Sequence, residues 1–467
     1  MTIFKAYDIR GIYEKDLTEK DAYMIGFYLA KQLNISDIKV AHDLRLSHEN
    51  LTKFLIQGLL DADVDVVYCG KSSTPNFYFS LFGDINSGIM VTASHNPKEY
   101  NGFKIMYEGI SFDSRNGLYE LEKLVQNDEF AKALDYNMIE DSLSNIPLHD
   151  FLEEREVTIF SYNKQYSMFL MDFYDILLEE KEKEAIQNLN FALDFSSGVS
   201  SISVIPMIEH TKLKCKYFNE KPNGNFPVHS PDPVLAQDFM KSQFSQEKLF
   251  FGAAFDGDGD RLVFFDGDGE IIFQDYVIAK FIDFFSEKNR NFVCDLRVSR
   301  VISDLAKEKN LDVGLIRVGR AFYQDYMVKN QCVFGAELSG HMFFRDFHSF
   351  DNPDIALIYM LKIIATHLLK NKEISFKELF EKYKKYTKVS EKSMKVKDAD
   401  KVLNSLKLKF KDSIVSEIDG LSFDFGDYWF NIRKSNTEPV IKINFEARNQ
   451  NVAKIELEKL INFIEKL

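Results

Sequence analysis

Apolar and polar positions follow two rhythms along this chain. Short apolar runs such as Ile38-Lys-Val-Ala41 and Val64-Asp-Val-Val-Tyr68 read as strands, while residues 51–60 between them keep helical spacing. Asn291-Phe-Val-Cys-Asp295 followed by Val301-Ile-Ser-Asp-Leu-Ala306 repeats the strand-then-helix order. Such alternation predicts an α/β architecture. The rhythm changes near the end. Trp429-Phe-Asn-Ile-Arg433 and residues 440–447 alternate like half-buried strands, and 452–467 read as a helix, so a separate α+β domain is expected there.

Three apolar runs pass into small residues and then a polar loop: Gly88-Ile-Met-Val-Thr-Ala-Ser94, Leu249-Phe-Phe-Gly-Ala-Ala-Phe-Asp256 and Cys332-Val-Phe-Gly-Ala-Glu337. In open α/β sheets, ligands sit beyond the carboxyl ends of strands. The three loops are therefore expected to line one cleft. Polar stretches at 141–155 and 244–248 and the lysine-rich segment 371–397 divide the chain into expected domains 1–145, 146–246, 247–370 and 371–467. A chain of 467 residues needs more than one core.

Composition narrows the classes. A hydrophobic fraction of 45% and a charged fraction of 28% exclude a disordered or fibrous protein. The net charge of -14 disfavours nucleic acid as a partner, yet a few convergent cations still suffice for a small phosphorylated ligand. Cys69, Cys215, Cys294 and Cys332 lie far apart with no Cys-x-x-Cys pair, which speaks against a disulfide framework or structural zinc and suits a reducing compartment. The first ten residues carry charges where a signal peptide is apolar. The longest apolar run, Ile355-Ala-Leu-Ile-Tyr-Met-Leu361, is far short of the roughly 20 residues that span a bilayer. A cytoplasmic protein with no membrane partner, monomeric or weakly oligomeric, is expected.

Four loops carry candidate chemistry. In Thr92-Ala-Ser-His-Asn-Pro97, Ser94 follows an apolar strand, with His95 adjacent and Lys104 nearby to stabilise charge or move its proton; a plain Asn-Pro turn is the alternative. In Asp256-Gly-Asp-Gly-Asp-Arg261, three alternating carboxylates can converge on a hard cation. An EF-hand loop is ruled out, because Arg261 and Gly267 stand where it needs Gly and Glu. Glu337, Ser339 and His341 alternate, so in an extended loop they face one way and suit sugar hydroxyls. Arg433-Lys-Ser-Asn-Thr-Glu-Pro439 offers an Arg fork, hydroxyls and backbone N–H groups to a phosphate dianion, or is a polar hairpin tip. Gly70-Lys-Ser72 is not a nucleotide P-loop, since Asp65 stands at the required upstream Gly.

Taken in order, these loops and the opening Phe4-Lys-Ala-Tyr-Asp-Ile-Arg-Gly11 resemble the α-D-phosphohexomutase superfamily, and within it the bacterial phosphomannomutase/phosphoglucomutase group, across essentially the whole chain. The resemblance implies three similar α/β domains and a C-terminal α+β domain around a central cleft. It implies an isomerase that interconverts hexose 1-phosphate and hexose 6-phosphate through a phosphoserine and a bisphosphorylated sugar. Ser94 would carry phosphate, and Asp256, Asp258 and Asp260 would bind Mg²⁺ with an oxygen on Ser94 as a further ligand. Glu337, Ser339 and His341 would read the sugar. Arg433, Ser435, Asn436 and Thr437 would hold the phosphate not being transferred, and Tyr7, Arg10, Lys104 and Arg261 would surround the reacting groups.

Two positions depart from the pattern: Arg297 stands where Lys is expected and Arg320 where His is expected. Both keep positive charge for substrate phosphate but differ in fork geometry and reach. They leave the preferred sugar open, with a phosphoglucosamine-type mutase as one alternative and a non-catalytic sugar-phosphate sensor as another.

Overall fold

A computed structural model describes residues 2–126, 136–434 and 440–467. The chain forms two compact units, Met1–Ile272 with Gly340–Met342 and Phe350–Phe376, and Phe273–Ser339 with Phe343–Ser349 and Lys377–Leu467.

The first unit holds two sheets. One runs Ile9–Ile12, Tyr100–Tyr107, Gly88–Val91, Asp37–His42, Asp65–Lys71, Thr158–Ile159, with Ile110–Ser111 added beside Tyr100–Tyr107. Asp37–His42 pairs parallel to both neighbours, whereas Tyr100–Tyr107 is antiparallel to Ile9–Ile12 and Gly88–Val91. Every residue of Gly88–Val91 is buried, as in a strand covered on both faces. Helix Glu19–Leu33 starts in a capping box of Thr18 and Asp21 and lies against helix His48–Leu60. Their backbones approach so closely that a Cβ on Gly58 would stand 2.1 Å from the Tyr23 carbonyl oxygen.

The second sheet runs Leu262–Phe265, Phe251–Phe255, Asn190–Asp194, Lys214–Phe218. Two expected borders read differently here. The stretch 141–155 forms helices whose Leu143, Leu148, Phe151 and Leu152 join the first sheet's core, because their apolar residues recur at helical spacing among the polar ones. The border at 246/247 falls inside the second sheet, since Phe251–Phe255 pairs parallel to Asn190–Asp194. Strand Phe251–Phe255, which delivers Asp256, is thus central to a sheet begun 60 residues earlier.

The other unit holds strands Asp312–Ile316, Asn291–Asp295 and Phe334–Ala336 in that order, with Asn291–Asp295 parallel to its two neighbours. Its antiparallel sheet runs Thr387–Lys395, Val440–Ala447, Tyr428–Lys434, Leu421–Asp424, Ile414–Ser416. Helices Ala399–Lys409 and Gln450–Glu465 cover it through Val402, Leu406, Leu457 and Leu460, giving the expected α+β domain. Among the described residues, no helix is long and apolar enough to cross a membrane.

Candidate active site

The first unit brings Ser94 and the aspartate loop together. Ser94 lies three residues beyond strand Gly88–Val91, with its backbone at φ 53°, a left-handed conformation that costs a non-glycine residue roughly 1 kcal/mol. Its N–H donates to Thr92 Oγ1 at 2.9 Å, and its own hydroxyl donates to Asp256 Oδ2 at 2.9 Å. The side chain is fully buried. His95 Nδ1 stands 3.3 Å from Ser94 Oγ. Burial, reinforced by Arg261 and Arg10, holds the His95 imidazole well below its ordinary range and keeps it neutral.

Asp256 ends a buried strand, and the loop folds back so that Asp260 N–H and Arg261 N–H donate to its Oδ1 at 2.9 and 3.2 Å. Gly259 takes φ 74°, which a side chain would strain. Asp256, Asp258 and Asp260 are all buried, and each offers an oxygen within 4.8 Å of the others. Lys104 donates to Asp258 Oδ2 at 2.6 Å and to Asp260 Oδ2 at 2.5 Å. Burial, then the charges of Asp260 and Asp258, push the Asp256 carboxyl well up. Asp260 goes the other way: burial opposes, but Lys104 and His341 hold it well down. Asp258 Oδ1 is buried with no hydrogen-bond donor among the described residues. An orphaned carboxylate oxygen within an all-oxygen set fits a hard divalent cation.

Around this core, Arg10 donates to Asp8 Oδ2 at 2.8 Å and to Asn96 Oδ1 at 2.8 Å, and Tyr7 is close enough to act on its charge. Arg261 Nε is 3.9 Å from Asp256 Oδ2 and 3.4 Å from His341 Nε2, and His341 is 3.2 Å from Asp260 Oδ1. His341 therefore belongs with the aspartate loop.

In the other unit, Glu337 accepts from Gly319 N–H at 2.7 Å and from Ser339 Oγ at 3.0 Å, so the expected side-by-side display of Glu337, Ser339 and His341 is divided between the units. Arg320 is buried at the start of helix Ala321–Lys329. Arg297 grips Asp295 with Nε and Nη2, both at 2.9 Å. Arg433 lies near the end of strand Tyr428–Lys434; Ser435, Asn436 and Thr437 lie outside the described residues.

Several participants escaped the sequence reading. Thr74 and Thr92 present hydroxyls to Asp258 Oδ2 at 2.8 and 3.1 Å. Asp43 and Arg45 lie directly behind the Ser94 loop, at the carboxyl end of strand Asp37–His42. That strand end, where ligand-site residues collect, was the available signal.

Four family models match the chain in order: Phosphoglucomutase/phosphomannomutase, alpha/beta/alpha domain I over residues 1–132, domain II over 167–269, domain III over 273–386, and the C-terminal domain over 386–461. The chain is 32% identical to a phosphomannomutase of Methanocaldococcus jannaschii, across 100% of this chain and 98% of that protein. It is 30% identical to a phosphoglucomutase of Neisseria gonorrhoeae, covering 96% and 93%. A solved structure of a phosphoglucomutase/phosphomannomutase family protein from Burkholderia thailandensis superposes with a TM-score of 0.79 at 25% identity, covering 100% and 98%.

Proposed function

This chain belongs to the phosphoglucomutase/phosphomannomutase family, and we propose that it moves phosphate between C1 and C6 of mannose or glucose through Ser94. The observation that carries the reading is the 2.9 Å contact between Ser94 Oγ and Asp256, joining two loops 162 residues apart.

Phosphoryl transfer asks mainly for positioning and charge neutralisation. Asp256, Asp258 and Asp260, with an oxygen of phosphorylated Ser94, would hold Mg²⁺, which supplies charge neutralisation at the transferred group. The chain's own residues do the rest. Phosphorylated Ser94 gives its phosphoryl group to the free hydroxyl of a hexose monophosphate: the Ser94 O–P bond breaks, a sugar O–P bond forms, and the sugar's proton passes to a basic side chain. The neutral His95 imidazole, with Nδ1 3.3 Å from Ser94 Oγ, is placed as a base that takes up this proton and then returns it to the serine oxygen. Lys104, Arg10 and Arg261 offset charge at the transferred phosphoryl. The bisphosphorylated sugar then turns, and its other phosphate returns to Ser94. Arg433 with Ser435, Asn436 and Thr437 would hold whichever phosphate is idle, with Glu337 and Ser339 reading the sugar hydroxyls and Arg297 and Arg320 adding positive charge.

Ser94→Ala tests this. It should keep the fold, lose mutase turnover on mannose 1-phosphate and glucose 1-phosphate, and lose the one-phosphate mass increment of the active protein. Full turnover in that variant would end the assignment. Running glucosamine 1-phosphate beside the other sugars separates the phosphoglucosamine alternative.

A further inference from the structure

Arg433, expected to take the idle phosphate, already faces an anion of the chain's own, which it shares with Lys442 and Arg297. The Glu391 carboxylate lies 3.4 Å from Arg433 Nη2, 3.3 Å from Lys442 Nζ and 3.9 Å from Arg297 Nη1. Asn444 Nδ2 donates to it at 3.0 Å.

Local backbone explains the placement. Strand Thr387–Lys395 pairs with Val440–Ala447, but the register shifts between Val389 and Lys392. Residues within such a bulge leave the strict in-and-out alternation, and their side chains are re-aimed. Glu391 sits in this bulge and faces cations from both Val440–Ala447 and Tyr428–Lys434, as well as from the loop after Asn291–Asp295.

Two neighbouring charges have partners of their own. Asp295 takes the Arg297 fork, and Lys388 lies on Asp275 at 2.7 Å. Among the described residues Arg433 Nε is buried without an acceptor, so the Glu391 carboxylate does not use the whole guanidinium. Removing the Glu391 charge leaves Arg433, Lys442 and Arg297 one negative charge fewer to share, which favours a phosphate dianion.

Resting on the phosphohexomutase reading, we infer that Glu391 is an internal stand-in for the idle phosphate: it holds Arg433, Lys442 and Arg297 together when no sugar phosphate is bound, and it weakens the grip on that phosphate when one is. A mutase benefits from such a weakened grip, because its bisphosphorylated intermediate must let go in order to turn. A uniformly tighter hold lowers KM without accelerating turnover.

The experiment compares the full-length protein with Glu391→Gln, Glu391→Ala and Arg433→Gln. Inorganic phosphate binding is measured by calorimetry, and mutase kinetics are measured on glucose 1-phosphate. Glu391→Gln should bind inorganic phosphate about fivefold more tightly, the scale of a partly exposed ion pair, and KM should fall in proportion while kcat does not rise. Glu391→Ala should move the same way, and Arg433→Gln should lose the phosphate titration. Unchanged or weaker phosphate binding in both Glu391 variants would overturn the inference, as would an undiminished titration in Arg433→Gln. An unsubstituted protein without mutase turnover would sink the mutase reading instead, while the phosphate titration would still judge Glu391.

Discussion

Arg45 donates from Nη2 to the carbonyl oxygen of Ser94 at 2.6 Å, and the rest of its guanidinium serves the same loop. It also reaches the carbonyls of Asn96, Pro97 and Tyr100 at 2.7, 2.7 and 2.8 Å, while Nε lies 3.2 Å from Asp43. The side chain is wholly buried. Four directed N–H groups of a fixed planar fork thus hold the loop carrying the unusual backbone of Ser94, and the fifth ties the fork to Asp43. Asp43 continues the connection through the Thr92 hydroxyl, which faces both Asp43 Oδ2 at 2.7 Å and Asp258 Oδ2 at 3.1 Å.

Arg45→Met should therefore destabilise by about 3–5 kcal/mol in urea denaturation, since it strands buried carbonyls and the Asp43 charge. Arg45→Lys keeps the charge but loses the fork. We expect it to fold and to lose about 100-fold in kcat with little change in KM, because misplacing the serine affects the reacting geometry rather than the grip on the sugar.

A divalent cation should stabilise the first unit. Mg²⁺ at a hundredfold excess over its Kd should add about 2.7 kcal/mol, read as a raised Tm. Asp258→Asn should abolish that response. Lys104→Met should melt early without the cation, because two buried carboxylates lose their internal counter-charge, and should show a larger rise when Mg²⁺ is added.

Asp354 gives a pH prediction away from the site. Burial pushes its carboxyl up to about 7, opposed only in part by the Tyr166 hydroxyl that donates to it at 2.8 Å. The folded state thus favours the protonated form. The associated stability is present below the ordinary carboxyl range and is lost as pH rises from about 4 through 7. Asp354→Asn should flatten that decline, gaining about 1 kcal/mol or more over the unsubstituted protein at pH 8 relative to pH 4, as measured by denaturation at each pH.

The single tryptophan reports on the last domain. Trp429 Nε1 donates to Glu446 Oε1 at 2.8 Å, and the same oxygen accepts from the Arg300 backbone N–H at 3.1 Å and lies 3.4 Å from Arg300 Nε. Arg300→Ala leaves the buried Glu446 carboxylate without its cation. Acrylamide quenching of Trp429 should increase, and stability should fall by about 3–5 kcal/mol.

Much of this protein was legible as text wherever chemistry is written in one contiguous stretch. The aspartate triplet needs only alternation and glycines to converge on one point, so the convergence of its three carboxylates followed from spacing, as did the central strands and the closing α+β pattern. Ser94 stood out because it ends an apolar run. Arg45 and Glu391 did not, for a physical reason. Arg45 acts on carbonyls 49 to 55 residues away, contacts that only the pairing of Asp37–His42 with Gly88–Val91 creates. Glu391 is aimed by a register slip between two strands 50 residues apart, and no local pattern encodes a slip. His341, close in sequence to Glu337 and Ser339, stands 3.2 Å from Asp260 Oδ1, a contact its own loop does not announce. Local spacing determined which groups can do chemistry; long-range pairing decided which of them meet.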